Sequence, residues 1–154
     1  MITVHSEAVD TGVRIRPATV SRYVTKVLSR HGVGEATVTV IFAPDDMVRK
    51  LKATYLHQDT TTDVLAFRLD DRDGETAATK PHHLEGEIYI SPARARVNAR
   101  TYGVTLGNEL GRLIFHGCLH LLGYEDDTPS SRARMHAMED ALLEEVSPED
   151  LLAS

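Results

Sequence analysis

The stretch from Glu109 to Asp126 constrains this chain more than any other. Leu106, Leu110, Leu113, Ile114, Cys118 and Leu121 recur there at the helical period. On that helix His116 and His120 stand four positions apart, so their imidazoles share one face, about 6 Å apart along the axis. Gly123 is placed to end the helix in the left-handed conformation and to reverse the chain. Asp126 then follows on a turn that can swing back over the histidine face. Two imidazoles and a carboxylate form a donor set for Zn²⁺, with bonds of roughly 2.0–2.2 Å and a fourth position left open. His116, His120 and Asp126 are therefore the candidate ligands for one Zn²⁺ per chain. Glu125 and Asp127 are rivals for the third place, and spacing favours Asp126.

The same helix carries Gly107, Gly111 and Gly117, each costing about 1 kcal/mol relative to alanine. Three such costs predict close packing of this helix against neighbouring elements. Thr105 is its expected N-cap. Cys118, the one cysteine, sits inside the apolar stretch and reads as a small buried residue without a disulfide partner.

The remaining elements follow from period and punctuation. Ile2–His5 alternates as a strand, and Pro17 opens a helix with Val20, Tyr23, Val24, Val27 and Leu28 inward. Ala36–Phe42 is a β-branched strand. Pro44-Asp45-Asp46 begins a second helix with Met47, Val48, Leu51 and Tyr55 on its inner face. Asp63–Leu69 reads as a strand, followed by a polar loop from Asp70 to Glu85 and a further strand over Gly86–Ser91. Pro92 opens a helix that Gly103 stops. Thr128 and Pro129 begin the last one, with Met135, Met138 and Leu142 inward and a short tail after Pro148. The expected fold is α+β: a small mixed β-sheet packed with helices, the histidine helix central, in a single domain over 1–154.

No apolar run approaches a membrane span, the N-terminus lacks a charged-then-apolar signal, and cysteine usage suits a reducing cytoplasm. The net charge of −6 argues against indiscriminate nucleic-acid binding but leaves room for a local basic group. Arg94, Arg96 and Arg100 lie close together upstream of the histidine helix, and Arg112 precedes His116 by four positions.

The run His116-Gly117-x-Leu119-His120-Leu121-Leu122-Gly123-Tyr124, followed by an acid, resembles the signature of the YbeY family of bacterial metal-dependent endoribonucleases. Tyr55, Thr62-Asp63-Val64-Leu65-Ala66-Phe67, Gly86-Glu87-Ile88 and Glu109 extend the resemblance from about Tyr55 to Asp126. Three departures stand out. The family's third ligand is usually a histidine where this chain has Asp126. Its catalysis-linked arginine falls at Leu56, and its proline before Thr-Asp falls at Thr61. The resemblance implies a zinc-dependent, single-strand-specific endoribonuclease of small-subunit rRNA 3′-end maturation and ribosome quality control. Ribosomal RNA and the small ribosomal subunit would then be its partners.

On that reading His116, His120 and Asp126 hold the metal, while His57, Asp63 and Glu87 are candidates for the acid–base role beside His116. Arg94, Arg96 and Arg100 are candidates for holding RNA phosphates. Two other readings remain. The spacing of the histidines, Gly123 and Asp126 is also that of the metzincin proteases, but their general base directly follows the first histidine, where this chain has Gly117. A non-catalytic RNA- or ribosome-binding module with a structural metal would need a fourth protein ligand, such as Glu125, Asp127, His82 or His83.

Overall fold

A computed structural model describes residues 1–58, 62–70 and 83–153. In chain order the elements are β1 (Ile2–Ala8), α1 (Pro17–Arg30), β2 (Glu35–Phe42), α2 (Asp45–Leu56), β3 (Val64–Arg68), β4 (His83–Ile90), α3 (Pro92–Tyr102), α4 (Leu106–Leu121) and α5 (Pro129–Glu144), then a 3₁₀ turn over Pro148–Leu151. The fold is α+β. Four strands form one mixed sheet in the order β1-β2-β4-β3, with β3 alone antiparallel to its neighbour.

Alternation along the strands sorts the sheet into two faces. Val38, Val40, Ile88 and Ile90 join the main core with Val24 and Leu28 of α1 and with Leu110, Ile114 and Phe115 of α4. Ile41 and Leu65 point the other way and pack with Val48 in a smaller cluster under α2. The histidine helix thus lies on one face of the sheet and α2 on the other. A span of this kind buries α4 almost all round: eleven of its sixteen residues are buried. Thr105 caps it, its hydroxyl accepting from the Asn108 amide at 3.1 Å.

The helix glycines are explained by what they touch. A Cβ on Gly117 would lie 2.6 Å from Ile88 Cγ2 of β4, and one on Gly107 would lie 2.7 Å from the Pro148 carbonyl oxygen. Gly86 of β4 makes the reciprocal approach, where a Cβ would meet Leu121 at 2.7 Å. Helix and sheet are therefore closer than two side-chain layers would allow.

Several expectations change. Met47 and Tyr55 are 41% and 63% exposed, so α2 buries a narrower face, through Val48 and Leu51. Strand β4 starts at His83, three positions before the glycine that reads as its beginning. The polar loop therefore ends earlier; its residues 71–82, including the candidate ligand His82, lie outside the described residues. The tail is not free: Leu151 is fully buried in the main core, and Arg16 donates its amide to the Leu151 carbonyl. Among the described residues no helix is long and apolar enough to cross a membrane.

Candidate metal centre

The helical spacing brings His116 Nε2 and His120 Nε2 to 2.9 Å, and Gly123, at φ +100°, turns the chain so that Asp126 returns over them. Asp126 Oδ2 stands 3.4 Å from His116 Nε2 and 3.5 Å from His120 Nε2. Ligands on a tetrahedral ion with bonds of about 2.0–2.1 Å are separated by about 3.3–3.4 Å. The three observed edges bracket that value.

The outer nitrogens explain why the inner ones converge. His120 Nδ1 lies 3.0 Å from the Tyr124 carbonyl oxygen, which can only accept, so Nδ1 carries the hydrogen. His116 Nδ1 lies 2.7 Å from Glu139 Oε2 of α5. Both Nε2 atoms therefore face one another and a carboxylate oxygen, so that three possible ligand atoms converge. Carboxylate–histidine and carbonyl–histidine pairs of this kind fix the ring tautomers at metal sites. The residues present fit a Zn²⁺ ion, and among the described residues no fourth protein ligand joins the three, Glu125 and Asp127 being exposed and outside the triangle.

Glu139 does not stand alone. It is buried, with 4% exposure, and Arg112 Nη1 donates to its other oxygen at 3.0 Å. Burial draws the His116 imidazole toward neutrality, but the Glu139 hydrogen bond and charge, with Asp126 and Asp63, outweigh it and raise its pKa. The turn that carries Asp126 is pinned from outside by Tyr124. Its ring meets His31 edge-on at 5.6 Å, its hydroxyl lies 3.3 Å from His31 Nε2, and Arg134 stacks over it at 5.5 Å.

The triangle opens onto a cleft of about 530 Å³. Arg112, Arg132 and His136 line it, together with Asp63, Asn98 and Glu109. Asn98 Nδ2 donates to Asp63 Oδ2 at 2.9 Å and to Glu109 Oε2 at 3.2 Å, joining the two acids through one amide. Glu109 is buried, and burial raises its carboxyl pKa; Asp63 adds to the rise, while Asn98 and Arg112 partly offset it.

The sequence candidates divide accordingly. His116, His120 and Asp126 meet, and Asp63 joins them in the cleft. Glu87 does not: its neighbours Gly86 and Ile88 touch α4, so period-two alternation turns Glu87 to the opposite face, where Tyr89 donates to it. His57 is exposed at the left-handed end of α2 and is not among the cleft residues. Leu56 is 46% exposed and also lies away from the cleft. Arg96 and Arg100 are exposed on α3, and Arg94 shares the Asn98 face one turn earlier, but none of the three lines the cleft. Sequence reasoning missed Glu139, Asn98 and Arg132. For Glu139 the available signal was its spacing, between Met135 and Leu142 on the inner face of α5.

Position 117 also bears on the protease reading. A side chain there points into Ile88 of the sheet, so no glutamate base could occupy it in this fold.

An α+β fold with two histidines and a carboxylate gathered beside an open cleft defines a metalloenzyme type of site. Comparison with known proteins narrows this. The family model for Endoribonuclease YbeY matches residues 5–147. The protein named Endoribonuclease YbeY from Moorella thermoacetica is 38% identical over 130 residues, covering 82% of this chain and 83% of the relative. The one from Chlorobaculum parvum is 32% identical over 132 residues, covering 86% and 87%. The solution structure of a Thermotoga maritima protein superposes with a TM-score of 0.59 at 27% identity, covering 94% of this chain and 88% of that one. The chain belongs to the endoribonuclease YbeY family.

Proposed function

We propose that this chain is a zinc-dependent endoribonuclease that cuts single-stranded RNA. Its role is in small-subunit rRNA 3′-end maturation and ribosome quality control in the cytoplasm, with the small ribosomal subunit as partner. The observation that carries the reading is the triangle of His116, His120 and Asp126, with its outer nitrogens already held, opening onto a cleft of about 530 Å³. Family membership supplies the reaction class.

Bound there, Zn²⁺ supplies Lewis-acid polarisation of the phosphodiester and activation of the attacking group. The chain's own side chains supply the remainder. Glu139 and the Tyr124 carbonyl hold the Nδ1 hydrogens, so the Nε2 atoms of His116 and His120 stay turned to the cleft. Asp63, whose Oδ2 is oriented by Asn98, is the proton acceptor among the three acid–base candidates because it alone lines the cleft. Glu109 holds its proton to higher pH than an ordinary carboxyl and is placed to return one. Arg94, Arg96 and Arg100 on α3 guide the RNA backbone outside the cleft through phosphate contacts.

The test is cleavage of a single-stranded rRNA fragment by wild type and His120→Ala, purified identically, with a chelator arm and zinc restored. Cutting by wild type alone, lost on chelation and regained with zinc, supports the reading. Equal cutting by both proteins, or none by wild type on naked RNA and on small subunits, overturns it.

A further inference from the structure

Phosphodiester cleavage places a negative phosphate against this cleft and builds more charge in the transition state. The cleft itself is rich in acids: Asp63, Glu109, Asp126 and Glu139 all line it. Beside the metal, a phosphate among these acids calls for a cation from the chain itself. Two arginines are present, and they differ in how much of their donor capacity is already used.

Arg112 is committed. Its Nη1 donates to Glu139 at 3.0 Å and lies 3.2 Å from His136 Nδ1, and its Nη2 donates to Asp140 at 2.5 Å. Turning it toward a substrate would strip the buried Glu139 carboxylate of its countercharge. Arg132 is uncommitted. It sits in the first turn of α5, exposed, six positions after Asp126, and lines the cleft beside His116 and Asp126. The one hydrogen bond of its side chain runs from Nη1 to the Asp126 carbonyl at 3.4 Å, and among the described residues no carboxylate pairs with it. A guanidinium has five N–H donors in a planar fork, so most of this one remains available for a phosphate. The backbone contact also ties it to the ligand-bearing turn.

We propose that Arg132 is the phosphate-binding cation of this site, clamping the scissile phosphate against the centre formed by His116, His120 and Asp126. The inference rests on the endoribonuclease reading for its substrate. In it Arg112 has the different task of holding Glu139, and through Glu139 the His116 ring.

The experiment compares the zinc-loaded wild type with Arg132→Ala and Arg132→Lys on a fluorescent single-stranded RNA. It reads kcat and KM, binding of a version with uncleavable bridging methylene-phosphonate linkages across a salt series, and zinc affinity by chelator competition. Arg132→Ala is expected to lose about 10²-fold in kcat/KM, the typical cost of one preorganised transition-state donor. Lysine is expected to recover part of it as a point charge without the fork. The slope of log affinity against log salt should become shallower by about 0.7, one phosphate contact on a single strand. Zinc affinity should be unchanged. An unchanged salt slope overturns the proposal, as does a loss of cutting accompanied by an equal loss of zinc, which would make Arg132 a support for the Asp126 turn. Absence of metal-dependent cutting by wild type, on this RNA and on small subunits alike, would sink the endoribonuclease reading instead. The salt slope on bound RNA would still decide Arg132.

Discussion

Glu139 Oε2 stands 2.7 Å from His116 Nδ1, so a residue on α5 fixes the ring of a ligand on α4. The same carboxylate carries Arg112 on its other oxygen, and both partners depend on its charge. Glu139→Gln keeps the volume and removes the charge. It is expected to weaken zinc binding by about 10–100-fold, the usual cost of losing such an outer partner. Competition against a chromophoric chelator measures this directly. Zinc affinity within twofold of wild type would show that His116 is oriented without Glu139.

The close approach of α4 to the sheet makes a second prediction. In an exposed helix Gly117→Ala would gain about 1 kcal/mol from propensity. Here the new methyl would lie 2.6 Å from Ile88 Cγ2, on a fully buried β-branched side chain with little room to give. Overpacking of that kind costs about 1–3 kcal/mol, so the variant should melt at lower temperature than wild type. Adding Ile88→Ala should recover part of the helix register at the expense of a cavity. The check is a double-mutant cycle by thermal or urea unfolding. Equal or higher stability for Gly117→Ala alone would contradict the packing described.

These two cases show what a sequence of this kind displays and what it hides. The histidine helix was legible because its cues are local: apolar period, a threonine cap, a glycine stop and an acid at fixed offset. The helix glycines also announced close packing, though not their partners, because Ile88 and Pro148 are distant in sequence. Glu139 was hidden since a glutamate in a helix ordinarily faces water, and only its place between Met135 and Leu142 hinted otherwise. The reading of α2 failed at Met47 and Tyr55 because amphipathic spacing marks a face without saying how much of it is covered. The Pro148–Leu151 turn is too short to show a period, yet it fills the core with Leu151. Asp63 and Glu87 looked equivalent in sequence. Asp63 lies just ahead of β3, outside the strand, and meets Asn98, whereas Glu87 is fixed within β4 on the face away from α4.

At the end of α4, Arg68 acts as a staple. Its Nη1 donates to the Leu121 carbonyl at 3.3 Å and its Nη2 to the His83 carbonyl at 3.1 Å. Asp70 holds it there, accepting from Nε at 2.9 Å. Burial pushes the Asp70 carboxyl up, but hydrogen bonds from Arg68 and the backbone, with the Arg68 charge, outweigh it and leave the pKa below the ordinary value. A carboxyl lowered by folding contributes stability that is complete above its unfolded pKa of about 3.9 and is lost as pH falls through the lower folded value. Asp70→Asn should therefore cost about 1–3 kcal/mol at pH 7. The gap between wild type and variant should close progressively below about pH 4. Urea unfolding across pH tests this, and a gap independent of pH would mean that the charge of Asp70 is not what matters.

The centre itself predicts how the protein responds to metal. Two imidazole nitrogens and a carboxylate oxygen stand within 2.9–3.5 Å of one another, already gathered for one ion. A metal that binds the folded state and not the unfolded one stabilises by mass action, about 2.7 kcal/mol at a hundredfold excess over Kd. In a domain of this size each kcal/mol moves the melting temperature by roughly 2–4 °C. Zinc titrated into chelator-stripped protein should thus raise Tm by about 5–10 °C. Two nitrogen donors favour zinc over magnesium, so magnesium at equal concentration should do far less. His120→Ala should lose most of the zinc shift while keeping its fold, since His120 is partly exposed and its contacts are confined to His116, Asp126 and the Tyr124 carbonyl at the helix end. If the variant shows the wild-type shift, the stabilising ion binds somewhere else. If magnesium matches zinc, the donors are not the two nitrogens. Either result would remove the centre on which the nuclease reading rests.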